Sequence, residues 1–188
     1  MIRQIASRLI PAFVTVCVLW TSSAPAQTPV SSAHGLVHAE IRDTSVDALP
    51  DVRVPVSPDL VLAAVDVGTA DVAFRFRFRP GSFDRSTTRL TVDLDIDQNA
   101  ETGVAGVEYQ LHVFPAGGRG ADVVRTAGSI VIGKVAVTSL EDGCDVSVPR
   151  RLLGEDDGRF DFRVSVYAEP ALPIVLDVLP DIGLVRLQ

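Results

Sequence analysis

The chain has 188 residues, a formal charge of −7, three histidines, two cysteines and one methionine. An excess of acids argues against binding the nucleic-acid backbone or an anionic membrane surface. The cysteine count leaves no room for a disulfide framework of the kind that holds small secreted domains together.

Arg3 and Arg8 precede an apolar run from Leu9 to Trp20, interrupted by Pro11 and Thr15, and small residues follow as far as Ala24-Pro25-Ala26. A basic start, an apolar stretch of about a dozen residues and a small-residue cleavage site are the three parts of a secretory signal peptide. The run is shorter than the roughly twenty apolar residues of a spanning helix. Residues 1–26 are therefore expected to be a signal peptide, and the mature chain to be exported, to a periplasm or outside the cell, with no membrane span after cleavage. Losing Arg3 and Arg8 takes the mature charge from −7 to about −9. Cys17 leaves with the leader, so Cys144 remains alone, and a small buried residue is its expected role.

Residues 27–35 show no apolar periodicity and are expected to be a flexible lead-in. From Leu36 onward, short β-branched and aromatic runs alternate with Gly, Pro and Asp. This pattern predicts strands over 36–42, 60–67, 70–79, 88–97, 107–114, 121–126, 129–138, 143–148, 159–168 and 182–187. Two are especially regular. In 72–79, Phe74, Phe76 and Phe78 alternate with Arg75, Arg77 and Arg79; in 89–97, Leu90, Val92, Leu94 and Ile96 alternate with Thr91, Asp93, Asp95 and Asp97. Period-two alternation puts one set on a buried face and the other in water. The arginine row is expected to pair with acids of a neighbouring strand such as Asp93 or Asp95, with an acidic glycan or partner as the alternative. One helical turn is expected in 149–154, before a loop at Glu155–Gly158. Residues 36–188 are thus expected to form a single all-β domain, a jelly-roll-like antiparallel β-sandwich of about nine strands.

The stretch Asp93 to Gly103 concentrates carboxylates at alternate positions before a turn. Calcium takes six to eight oxygen ligands, and such spacing can converge on one ion. With Asp95 as first ligand, an EF-hand needs Gly at position 100 and Glu at 106; the chain has Ala100 and Gly106, and no helices flank the loop. The same residues also suit an ordinary polar hairpin loop.

Leu94 to Gly103, L-D-I-D-Q-N-A-E-T-G, resembles the "LDTDQNPATG" signature of secreted bacterial β-sandwich domains related in shape to family-nine carbohydrate-binding modules and DOMON-like domains. Gly106-Val107-Glu108-Tyr109 resembles the Gly-x-Asp-Tyr that follows it. Pro149, Arg150, Leu153 and Gly154, then Asp177, Pro180, Asp181 and Gly183, resemble later elements in the same order. The resemblance implies a calcium site with Asp95, Asp97, Asn99 and Glu108 as side-chain ligands and a backbone carbonyl near Glu101 or Thr102. Glu108 stands where Asp is more usual. Haem binders among the DOMON-like domains ligate iron through Met and His; Met1 is the sole methionine and leaves with the leader.

No Gly-x-Ser-x-Gly elbow or His-Glu-x-x-His helix is present, and His34, His38 and His112 fall into no catalytic arrangement. The expected function is a non-catalytic calcium-stabilised binding module with carbohydrate as the first ligand class. A structural or interaction module binding a cell-surface protein is the alternative, and a glycan hydrolase the remaining one. Exposed aromatic platforms look scarce, because the alternating phenylalanines read as core.

Overall fold

The computed structural model describes residues 37–44, 46–116, 118–154, 159–180 and 184–186. The expected signal peptide, the expected lead-in and the expected loop at 155–158 lie outside the described residues. Among those described, no helix is long and apolar enough to cross a membrane.

Twelve strands run through the described chain: β1 (Val37–Arg42), β2 (Leu60–Val67), β3 (Asp71–Phe78), β4 (Thr88–Asp95), β5 (Tyr109–Phe114), β6 (Gly120–Arg125), β7 (Ile130–Val135), β8 (Val137–Ser139), β9 (Gly143–Pro149), β10 (Asp161–Ala168), β11 (Asp177–Leu179) and β12 (Val185–Arg186). Five make one sheet, in the order β1-β2-β3-β9-β8; the other sheet has seven, β11-β10-β4-β5-β6-β7 with β12 also on β10. Every pairing is antiparallel. The expected turn in 149–154 is a short 3-10 helix, Arg150–Leu152.

The alternating strands behave as their period dictates. Phe74, Phe76 and Phe78 of β3 are fully buried, as are Leu90, Val92 and Leu94 of β4 and Phe162, Val164 and Val166 of β10. The Phe74 ring lies 6.3 Å from Phe76 along its own strand and 6.4 Å from Phe160 across the two sheets. Each such ring is worth about 1.5–3 kcal/mol of burial, so this aromatic seam is a principal reason the sheets stay together. Cys144 of β9 belongs to the same core, where burial pushes its thiol up to about 12. A second small cluster, Val54, Ala168, Ala171 and Leu176, fastens the segment before β2 against the far end of β10.

Three departures from the pattern matter. The run 129–138 is two strands, β7 in the larger sheet and β8 in the smaller, with Ala136 between them. The chain thereby crosses from one sheet to the other. Asp177–Leu179 is a strand on the edge of β10, its Leu179 buried against the core. The arginine row does not face Asp93 or Asp95, which lie in the other sheet. Arg75 pairs with Asp66 of β2 at 2.5 Å and Arg77 with Asp145 of β9 at 2.6 Å, while Arg79 pairs with Asp59 at 2.5 Å. Cross-strand neighbours are set by sheet order, and β3 sits between β2 and β9.

Candidate metal centre

The acids of β4 divide between two fates. Asp93 is neutralised within the sheet: Arg163 of β10 donates to it at 2.8 Å and Gln110 of β5 at 2.9 Å. Asp95, at the end of the strand, has no such partner among the described residues and stands directly opposite Asp161 of β10. Two carboxylates facing each other across a ladder repel. Asp161 is relieved by Arg186 at 3.3 Å and by the Gln98 amide at 2.9 Å. Asp95 is left to the loop.

That loop, residues 96–108, joins β4 to the neighbouring strand β5. It is folded by its own polar groups and by glycine. The Asn99 amide donates to Asp95 Oδ1 at 3.1 Å and to Asp97 Oδ1 at 3.0 Å, turning the chain back over the strand end. Gly103 has a φ of 57°, and a Cβ there would lie 2.2 Å from the Val107 carbonyl and 2.7 Å from Glu108 Oε1. Only glycine fits this close approach. Glu108 then enters from the β5 side, its Oε2 accepting the Ile96 amide at 2.9 Å.

The result is a convergence of oxygens. Asp95, Asp97 and Glu108 each bring a carboxylate oxygen within 4.8 Å of the others, with Asp95 buried, Asp97 exposed and Glu108 half-buried. The Thr102 hydroxyl sits among them, 2.9 Å from Asp97 Oδ1, 2.6 Å from Glu108 Oε1 and 2.8 Å from the Asn99 carbonyl. One hydroxyl proton can serve one of these three acceptors at a time. The remaining lone pairs face one another, and that arrangement favours a cation. Burial pushes the Asp95 carboxyl above its ordinary value, with Glu108, Asp161 and Asp97 adding repulsion against the opposing pull of the Asn99 amide.

The donor set is all oxygen, which suits a hard cation and not a thiolate- or imidazole-seeking one. Oxygens that share an ion at about 2.3–2.6 Å stand no more than about 5 Å apart, in keeping with this spacing. Of the four side chains expected to ligate, the fold brings Asp95, Asp97 and Glu108 together. Asn99 uses its side-chain Oδ1 to accept the Glu101 amide at 3.1 Å and presents its main-chain carbonyl to Thr102. The Thr102 hydroxyl is the group that residue reading passed over. Its signal was present, a hydroxyl at the turn of an acidic loop.

The outer face of the larger sheet, beside this loop, carries a second set of polar groups. His112 Nε2 lies 3.2 Å from Gln110 Oε1, which extends the Arg163–Asp93–Gln110 chain along the face. Burial holds His112 below the ordinary histidine value. No protein-family model matches the chain, and no curated protein matches it either.

Proposed function

We propose that the chain is an exported, non-catalytic binding module in which calcium staples the β4–β5 loop, with carbohydrate as its ligand. The observation that carries the metal reading is the convergence of Asp95, Asp97 and Glu108 around a single hydroxyl. Calcium suits this irregular loop better than magnesium, which demands near-ideal octahedral geometry. When bound, the ion supplies positive charge; the chain's own residues fold the loop and present the oxygens. The basic and apolar leader ending at Ala24-Pro25-Ala26 supports export. The buried thiol of Cys144 is a poor nucleophile, which argues against covalent catalysis by that residue. Carbohydrate is favoured by a hydrogen-bonding sheet face that also carries half-buried Phe114 and Tyr167 outside the core.

A second reading, an interaction module for a cell-surface protein, is favoured by exposed Val104, Ile130 and Val131, two of them on the outermost strand β7. Titration of chelator-stripped protein with calcium chloride, followed by heat, separates metal binding from its absence. One site with a dissociation constant at or below about 10⁻³ M, lost in Asp95→Ala/Asp97→Ala, is expected. No heat in the wild type would end the metal reading.

A further inference from the structure

Two hollows lie on the outer face of the seven-stranded sheet, and His112 lines both. The one next to the loop, about 550 Å³, includes Asp93, Gln110, Arg163, Val104 and Val131. The one toward the other end of the strands, about 410 Å³, includes Arg89, Thr91, Phe114, Arg119 and Tyr167. Both volumes fall in the range of small-ligand sites. From Gln110 to Phe114 along β5 the trough is about 14 Å long at the rise of an antiparallel strand.

The two ends differ in charge. At the loop end Asp93 is paired with Arg163 at 2.8 Å; at the far end two guanidinium groups lie around one ring. Arg119 Cζ stands 3.6 Å from the Phe114 centroid and Arg89 Cζ 5.6 Å from it. Stacking of this kind fixes the plane of a guanidinium while leaving its N–H edges free to bind a planar anion in two places. Arg119 is exposed and makes no ion pair with a described residue, unlike the arginines of β3. The Arg89 side chain is 14 % exposed and already spends its terminal N–H groups on the Thr88 and Ser86 carbonyls at 2.8 and 3.2 Å and on Glu169 at 3.0 Å, so Arg119 is the cation open to a ligand. On so acidic a chain, a fixed cation over a hollow floored by polar side chains selects for a carboxylate-bearing ligand.

We propose that this trough binds an acidic oligosaccharide of the uronic-acid class, a carboxylate held by Arg119 and the rings laid over Thr91, His112 and Gln110. This rests on the carbohydrate reading above and adds charge and position to it. A glycan suits the trough better than an acidic peptide. The floor strands β4 and β5 are interior to the sheet, so they offer no free backbone edge for an extended peptide to pair with.

The test is calorimetric titration with uronic-acid trimers of three sugar types, each beside its uncharged methyl ester, and with oligoglutamate. At least one free acid should bind at least tenfold more tightly than its ester, and added salt should weaken it. Arg119→Gln should cost about tenfold in that affinity, while Arg85→Gln, an exposed charge outside the trough, should leave it unchanged. Equal binding of acid and ester, unmoved by Arg119→Gln, would overturn the acidic assignment and leave the carbohydrate reading standing. Binding of oligoglutamate alone would replace the glycan by a peptide. No binding across the panel would sink both.

Discussion

The outer face of the five-stranded sheet and the β4–β5 loop are both rich in carboxylates, and they dispose of them in opposite ways. On the sheet, Asp66 and Asp145 each meet a guanidinium from β3, and at its end Asp59 meets Arg79. In the loop, Asp95, Asp97 and Glu108 meet one another and a threonine hydroxyl. The first region is neutralised by the chain itself; the second is left with acids facing acids, for which a cation is the proposed neutraliser. Carboxylate density alone does not mark a cation site. What marks it is the failure of the fold to deliver a guanidinium to acids it has already brought together.

The comparison can be sharpened first at Arg79. Asp59 is 5 % exposed and Arg79 about a third exposed. Removing the guanidinium strands a buried charge, so Arg79→Ala should cost about 2–3 kcal/mol in urea unfolding. Arg75→Ala and Arg77→Ala remove more open pairs and should cost about 1 kcal/mol or less. Equal losses at all three would erase the distinction between buried and surface pairing.

Asp177 gives a second contrast. Burial, with repulsion from Asp47 and Asp59, raises its carboxyl to about 6, even though it accepts the Leu60 and Val178 amides. The folded state therefore holds this proton more tightly than the unfolded chain does. Its stabilising contribution is complete below about pH 4 and is lost as pH rises to about 6, an effect of about 2–3 kcal/mol that then levels off. Chemical denaturation across that window should show the decline in the wild type and a flatter curve in Asp177→Asn.

The smallest effect is the most discriminating in sign. Asp97→Asn removes one repelling charge from the loop. In chelator it should be neutral or stabilising by up to about 1 kcal/mol; in calcium it should fall below the wild type. A surface acid with no ion to hold would show no reversal.

These distinctions were legible in the sequence to different depths. β3 and β4 announced themselves because period-two alternation of Phe with Arg, or Leu with Asp, has only one reading on a pleated strand. The split at Ala136 was hidden, since Val135-Ala136-Val137 is as good a strand locally as any other; only the need to close the sandwich breaks it. Asp177–Leu179 was too short to register beside Pro180, and its buried acid runs against the usual pattern. Asp95 and Asp97 stood out as alternating carboxylates before a turn, whereas Glu108 was reached only through the resemblance of Gly106-Val107-Glu108-Tyr109 to a Gly-x-Asp-Tyr element. Thr102 could not be ranked above its neighbours, because the close contact of its hydroxyl depends on the positive φ of Gly103 and Gly106. The partners of the arginine row were beyond reach for another reason. Strand order is a property of the whole sheet, and no local pattern says that β9 lies against β3.

Thermal unfolding of the wild type and of Asp95→Ala/Asp97→Ala, each in millimolar calcium and in chelator, tests the central contrast most directly. With calcium about a hundredfold above its dissociation constant, binding should add about 2.7 kcal/mol. For a domain of this size that is a rise in midpoint of about 5–11 °C. The rise should vanish in the double variant and persist in Arg75→Ala, whose acid is neutralised from within. A wild type that melts at the same temperature in calcium and in chelator would contradict it: the loop would then be a solvated turn, and its carboxylates would stand together without an ion.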